Sequence, residues 1–154
     1  MINVLSINLN NEKNTHELAR KIAKKMCPGM LIYLSGDLGS GKTSFARSLI
    51  NELGFDGVVK SPSYSLVEQY NIDSYTVNHF DLYRFKSSEE WHEAGFNEFI
   101  NEVNINLIEW PEKGHPYLPI SDLIINFCYV SSDQRKALIT VNTTKGVECI
   151  KELI

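Results

Sequence analysis

The sequence predicts an α/β domain, in which helices cover both faces of one mixed parallel and antiparallel sheet to form three layers. Two observations predict this class. The first half of the chain alternates strand and helix patterns, and the second half is mainly a series of strand-like runs that favour antiparallel hairpins. The 154 residues are 43% hydrophobic and 22% charged, which is ordinary globular composition. Because no linker or repeat divides the chain, residues 1–154 are expected to fold as a single domain.

The first half contains the strand–helix–strand–helix pattern. Its predicted elements are a strand at 2–8, a helix that begins at Asn14 or Thr15, a strand at 30–34 and a helix at 43–53. Glu17 stands three residues after Asn14, as in a capping box, and Pro28 ends the first helix. Gly54 ends the second helix. Strands that alternate with helices favour a parallel arrangement in this part of the sheet.

The second half is richer in strands. Its predicted elements are strands at 65–70 and 75–81, a helix from 87 to 100 that Gly95 interrupts, a strand at 103–109, strands at 121–130 and 135–143, and a short helix at 147–153. Polar turn residues separate the strands at 65–70 and 75–81, and likewise the strands at 121–130 and 135–143, so each of these two pairs is expected to form an antiparallel hairpin. The sheet is therefore expected to be mixed.

Charge and cysteine usage exclude several classes of protein. The formal net charge is −4, which disfavours a strongly basic nucleic-acid binder. The cysteines at 27, 128 and 149 form no C-x-x-C pair, so they predict neither a zinc site nor a disulfide framework. The N-terminal segment lacks signal-peptide features, and the longest strongly apolar run, at 30–34, is too short to span a membrane. We therefore expect a cytoplasmic protein without membrane contact.

The strongest motif is the segment GDLGSGKT at residues 36–43, which fits the phosphate-loop pattern G-x-x-x-x-G-K-[ST]. It follows a predicted strand and opens a predicted helix, which is the context that the motif requires. Its glycines allow backbone N–H groups to face a phosphate, and the helix adds its positive end. Lys42 can reach the β- and γ-phosphates, and the Thr43 hydroxyl suits Mg²⁺. The motif predicts a P-loop NTPase-type fold.

Nucleotide hydrolysis also needs a carboxylate for the metal and a group that positions water. Asp81 and Glu109 each follow an apolar strand and are the candidates. Residues 59–64, VKSPSY, lie where such hydrolases carry a γ-phosphate sensor, although without further context an ordinary Ser-Pro turn is the favoured interpretation. His79 is interpreted as a sheet histidine rather than a base, and Trp110 as packing or as a partner contact.

Other functions share the phosphate loop. A small P-loop metabolite kinase fits the length, but such kinases usually close an arginine-rich lid, and this chain has four widely spaced arginines. No N-K-x-D segment is present, which excludes a typical GTPase. A nucleotide-dependent binding module, in which the bound nucleotide controls an interface, remains open. It would hydrolyse ATP slowly alone and faster with its partner.

Four segments together resemble the bacterial TsaE (YjeE) family over nearly the whole chain. They are GDLGSGKTS at 36–44, VKSPSYSLVEQY at 59–70, HFDLYR at 79–84 and IEWPE at 108–112. The resemblance implies an ATPase required for N6-threonylcarbamoyladenosine formation at position 37 of tRNAs that read codons starting with adenine. It also implies ATP and Mg²⁺ as cofactors, TsaB and TsaD as partners, and tRNA contact only through those partners.

The resemblance also assigns residues. Those expected at the nucleotide are Thr15 near the adenine, Gly36, Asp37, Leu38, Gly39, Ser40, Gly41, Lys42, Thr43, Ser44 and Arg135. Gln134 competes with Arg135 for its position. Thr43 and Glu109 match the magnesium ligands, and Asp81 matches a carboxylate needed for activity, so Lys42, Asp81 and Glu109 are the expected catalytic residues. The family usually has Thr at position 63 and often Ala at position 40, where this chain has serines.

Overall fold

The computed structural model describes residues 4–154, and within them one seven-stranded sheet organises the fold. Its strands are β1 (Val4–Leu9), β2 (Leu31–Gly36), β3 (Val67–Ile72), β4 (Tyr75–Asp81), β5 (Ile105–Glu109), β6 (Leu123–Tyr129) and β7 (Arg135–Val141). The helices are α1 (Glu12–Lys25), α2 (Lys42–Glu52), α3 (Glu90–Glu93) and α4 (Thr144–Cys149). Short 3-10 helices span Phe96–Phe99, Pro111–Gly114 and Lys151–Leu153.

The sheet is mixed, as the sequence predicts. The strand order is β1-β7-β6-β2-β5-β4-β3. β2 lies between β5 and β6 and is parallel to both, and β4 is parallel to β5. The β3–β4, β6–β7 and β1–β7 pairs are antiparallel. The carboxyl ends of β2, β4 and β5 therefore meet at one edge, where α/β sheets bind ligands.

Helices cover both faces of the sheet, which gives three layers, and a hydrophobic core lies between the sheet and the helices on each face. On one face α1, α2 and α4 pack on aliphatic side chains of the central strands, among them Ile32 and Val77. On the other face α3 and the adjoining 3-10 helix pack on an aromatic cluster around Phe80 and Trp91. Val77 and Phe80 point to opposite faces because side chains alternate along a strand. The predicted P-loop NTPase-type α/β fold is confirmed.

The first helix begins earlier than Asn14 or Thr15, so that prediction is wrong. α1 starts at Glu12, and the Asn11 side chain caps it by accepting a 2.9 Å hydrogen bond from the Asn14 N–H. The Glu17 carboxylate forms no capping box, because it accepts from the Arg20 guanidinium Nε at 3.2 Å. The predicted first strand begins at residue 2, and its first two residues lie outside the described part of the chain.

The predicted helix at 87–100 is short and broken. Gly95 has φ of +72° in the left-handed region, so the α-helix ends after one turn and a 3-10 helix follows. The fifth strand begins at Ile105 rather than 103, because the Asn101 side chain accepts from the N–H groups of Val103 and Asn104, both at 2.9 Å. None of the helices between residues 4 and 154 combines the length and hydrophobicity that a membrane crossing needs.

Candidate functional site

The loop between β2 and α2 has the backbone that its glycines predict. Gly36, Gly39 and Gly41 all have positive φ, of +136°, +75° and +112°. A Cβ on Gly36 would lie 2.5 Å from the Phe127 backbone oxygen, so a side chain has no space there. Gly41 is the N-cap of α2 and makes no side-chain capping bond. The first-turn N–H groups of α2 therefore lack side-chain capping partners, which suits them to an anion.

Lys42 lies folded over this loop. Its Nζ donates hydrogen bonds to the backbone oxygens of Gly36 and Asp37, the latter at 3.0 Å, and lies 4.0 Å from the centre of the Trp110 ring. Burial lowers the pKa of the Lys42 ammonium, and the charges of Glu109 and Asp81 oppose that shift. A phosphate oxygen could replace the carbonyl oxygens as acceptor and would favour the charged ammonium.

Glu109 is the last residue of β5, and its carboxylate contacts the side chains of Thr43 and His79. The Thr43 hydroxyl lies 3.0 Å from its Oε1 and 3.1 Å from its Oε2, and donates to the carboxylate. The His79 Nε2 lies 2.6 Å from the same Oε2. Glu109 is only 2% exposed. The hydroxyl and carboxylate oxygens are hard donors of the kind that Mg²⁺ prefers, so the donor set fits the expected metal.

Asp81 is brought beside Glu109 by the parallel register of β4 and β5, in which the two residues are partners. Its Oδ1 accepts a 3.0 Å hydrogen bond from the Tyr83 N–H. Burial raises the pKa of the Asp81 carboxyl, and the nearby Glu109 charge raises it further, while the Tyr83 hydrogen bond acts in the opposite direction. Two carboxylates thus face one cleft from neighbouring strands.

Most of the predicted residues line a cleft of about 310 Å³ at this edge of the sheet, whereas Gly36 and Asp37 lie outside its lining. Its lining comprises Leu38, Gly39, Ser40, Gly41, Lys42, Thr43, Ser44, Ser63, Asp81, Glu109, Trp110 and Arg135. The Ser40 hydroxyl oxygen is buried and has no hydrogen-bond partner within residues 4–154, although buried hydroxyls normally find one. This unpaired hydroxyl and the open glycine loop fit an anionic ligand in the cleft. Ser63 brings the 59–64 segment to its wall.

A second cavity of about 240 Å³ adjoins the cleft and shares Ser44 and Arg135 with it. Thr15, predicted near the adenine, lines this second cavity rather than the cleft itself. The Arg135 guanidinium donates to the Ser40 backbone oxygen at 3.4 Å. Gln134 instead closes the β6–β7 turn, where its backbone oxygen accepts from the Val130 N–H at 2.9 Å. Of the two competing residues, Arg135 is the one that contacts the loop.

Sequence analysis missed three contacts of the loop and cleft. Trp110 has a left-handed backbone, with φ of +58°, and its ring lies against Lys42. The Tyr129 hydroxyl donates to the Gly39 backbone oxygen at 2.7 Å. His79, interpreted as an ordinary sheet histidine, bonds Glu109. For Trp110 the signal was its place directly after Glu109, whereas the other two contacts depend on strands that meet only in the folded chain.

Fold and loop together define the chain as a P-loop NTPase-type α/β domain. The family model described as "Threonylcarbamoyl adenosine biosynthesis protein TsaE" matches residues 9–137. The chain belongs to the TsaE family, as the motifs predicted, and the family places it in threonylcarbamoyladenosine biosynthesis.

Individual proteins show the same relationship. The chain is 42% identical over 121 residues to the tRNA threonylcarbamoyladenosine biosynthesis protein TsaE of Haemophilus influenzae, a match that covers 79% of this chain and 76% of the relative. It is 30% identical to the protein of the same name from Bacillus subtilis, with 84% and 81% covered. The crystal structure of Bacillus subtilis YdiB superposes with a TM-score of 0.84 at 26% identity, and covers 99% of this chain and 95% of that one.

Proposed function

We propose that this chain is an ATP-binding, slowly hydrolysing ATPase subunit for the formation of N6-threonylcarbamoyladenosine at position 37 of tRNAs that read codons starting with adenine. One observation carries the proposal. Lys42, Thr43, Asp81 and Glu109, which come from the loop helix and two parallel strands, all line the cleft beside the glycine loop. A cleft that combines an anion-binding loop with paired carboxylates suits the phosphates of a nucleotide and their metal.

Each residue has a distinct role in this proposal. The loop N–H groups and Lys42 hold the phosphates, and the side chains of Ser44, Thr15 and Arg135 extend the site towards the second cavity. Thr43 and Glu109 would hold Mg²⁺, which when bound supplies positive charge that neutralises phosphate oxygens. Asp81 orders the attacking water, because its carboxyl faces the same cleft without a cation bonded to it in the described residues.

The proposed partners are TsaB-like and TsaD-like proteins, and the tRNA is contacted only through them. The net charge of −4 supports this division, since direct tRNA binding requires a surplus of Lys and Arg on one face. Hydrolysis would then reset the assembly rather than transfer the carbamoyl group. The cleft disfavours a metabolite kinase, because Arg135 is the one arginine among the described residues that line it, whereas such kinases usually close an arginine-rich lid.

Substitutions in the cleft test the ATPase proposal. Lys42→Ala should lower ATP affinity and turnover, because it removes the cation at the phosphates. Asp81→Asn and Glu109→Gln should reduce turnover by about 100-fold or more while nucleotide still binds, as removal of one preorganised charged group commonly does. Lys24→Ala, which removes an exposed lysine of α1, is the matched control. Wild-type ATP binding and turnover in Lys42→Ala would refute the proposal.

The partner role needs a separate measurement. ATP hydrolysis is followed with and without purified TsaB and TsaD, and association is measured with ATP, with ADP and without nucleotide. We expect slow hydrolysis alone, faster hydrolysis with both partners, and association that depends on the nucleotide. If no association occurs under any nucleotide condition, the partner proposal is wrong. Nucleotide-dependent association with an unchanged hydrolysis rate would instead identify a binding module.

A further inference from the structure

His79 is a fully buried polar residue in the middle of a strand, and the proposed roles above do not use it. Its side chain has no exposed surface, and its Nε2 lies 2.6 Å from the Glu109 Oε2. An ionised carboxylate only accepts hydrogen bonds, so Nε2 is the donor in either protonation state of the ring. The bond therefore fixes one oxygen of the Glu109 carboxylate.

The rest of the His79 ring gains little from its position. Its Nδ1 is buried and has no hydrogen-bond partner among residues 4–154. A buried polar atom without a partner costs about 1–3 kcal/mol, so an apolar side chain would serve the core better than this histidine. The contact with Glu109 is thus the feature of the structure that explains a histidine here.

The groups around Glu109 indicate what the His79 hydrogen bond does to its carboxylate. His79 bonds Oε2, while the Thr43 hydroxyl lies within 3.1 Å of both carboxylate oxygens. Asp81 is the register partner of Glu109 on β4 and carries a charge of the same sign as Glu109. The His79 bond therefore opposes rotation of the buried Glu109 carboxylate away from Thr43.

We propose that His79 is a positioning residue, which holds the Glu109 carboxylate towards Thr43 and thereby sets the Mg²⁺ affinity of the nucleotide site. The proposal rests on the proposed function, in which Thr43 and Glu109 are the magnesium ligands. Groups that hydrogen-bond to a metal-ligating carboxylate orient it, and their loss typically costs 10–100-fold in metal affinity or activity.

The test compares His79→Leu, His79→Gln and Asn78→Leu with the wild-type chain. Gln retains an N–H donor and Leu does not. Asn78 is the matched control, because it is the preceding residue, fully buried, and bonds Asn106 at 3.0 Å on the other face of the sheet. Calorimetry gives ADP affinity with and without Mg²⁺, so no turnover is needed. Thermal unfolding of each variant records its stability.

We expect His79→Leu to weaken the Mg²⁺-dependent gain in ADP affinity by about 10–100-fold, with metal-free affinity unchanged. His79→Gln should recover most of this gain. Asn78→Leu should lose stability but keep the full Mg²⁺-dependent gain in ADP affinity. An equal Mg²⁺-dependent gain in the wild type and His79→Leu would overturn this inference alone. A wild-type chain without any Mg²⁺-dependent ADP binding would overturn the proposed function, and the inference with it.

A measurement on the wild-type chain covers the case in which His79→Leu does not fold. In a ¹⁵N-histidine-labelled sample, the His79 Nε2–H resonance should move when Mg²⁺ and ADP are added together, and move less with ADP alone. A resonance that responds equally to ADP with and without Mg²⁺ would contradict the assigned role.

Discussion

Asp81 and Glu109 place two carboxylates side by side in a largely buried cleft. Burial is the largest cause of the raised Asp81 pKa, and the Glu109 charge adds to it. A carboxyl that is poorly solvated in the folded chain ionises at a cost to stability, because the unfolded chain solvates the charge freely. The same arrangement leaves Asp81 available to a ligand in the cleft. Site chemistry and stability therefore oppose each other at this residue.

Asp81→Asn should make the ligand-free chain more stable at neutral pH. The folded-state pKa of Asp81 lies above its ordinary value of 3.8, so the wild type loses stability as pH rises from that value through the raised pKa. Asn carries no charge and can still accept a hydrogen bond from the Tyr83 N–H. The stability of Asp81→Asn should therefore not fall in this way as pH rises. Denaturant unfolding between pH 3 and pH 8 checks it, and a pH-independent difference between the two chains would contradict the cause given.

At the scale of elements, the site depends on a loop whose backbone only glycine adopts easily. Gly36 is the last residue of β2, and the space where its Cβ would stand is occupied by the Phe127 backbone of β6 and the Ser40 hydroxyl oxygen. β2 and β6 are paired there in parallel register. The phosphate loop is therefore packed directly against the sheet, and its shape depends on strand pairing as well as on its own sequence.

Gly36→Ala should damage both stability and nucleotide binding. Its added Cβ would lie 2.5 Å from the Phe127 backbone oxygen at φ of +136°, so strain of about 1–3 kcal/mol is expected together with a displaced loop. Gly95→Ala is the control, because Gly95 also has a positive φ, of +72°, but an added Cβ would meet no atom within 4 Å. We expect Gly95→Ala to lose some stability while it binds ADP normally. Normal ADP affinity in Gly36→Ala would contradict the argument.

For the whole molecule, the proposed ligand would contact elements from most of the chain. The cleft and the adjoining cavity are lined from Leu9 to Arg135, which involves strands at the centre and at the β1 edge of the sheet. A ligand that binds only the folded chain stabilises all of it by mass action. Nucleotide binding should therefore be visible as a change in global stability.

Saturating Mg²⁺–ADP should raise the melting temperature of the chain. At 100 times Kd the added stability is about 2.7 kcal/mol, which for a domain of this size corresponds to roughly 5–10 °C. Differential scanning calorimetry measures the shift. Lys42→Ala should show little of this shift in melting temperature, and Lys24→Ala should show all of it. Equal melting temperatures with and without Mg²⁺–ADP in the wild type would contradict nucleotide binding.

Local sequence determined a large part of this protein. The glycine loop, its lysine and the flanking strand and helix predicted the phosphate-loop fold, because their backbone requirements are local. Asp81 and Glu109 were identifiable because each follows an apolar strand. Element ends were less predictable: the α1 cap depended on Asn11, and Gly95 broke the expected helix at 87–100.

Only the tertiary structure decided which distant residues meet. Sequence periodicity carries no register, so the pairing of Asp81 with Glu109 and the 2.6 Å contact of His79 with Glu109 follow from how β4 aligns with β5. The choice of Arg135 over Gln134 depends likewise on which of them β7 directs to the loop. Local patterns specify backbone shape and chemical type, whereas contacts between strands depend on the global minimum of packing and hydrogen bonding.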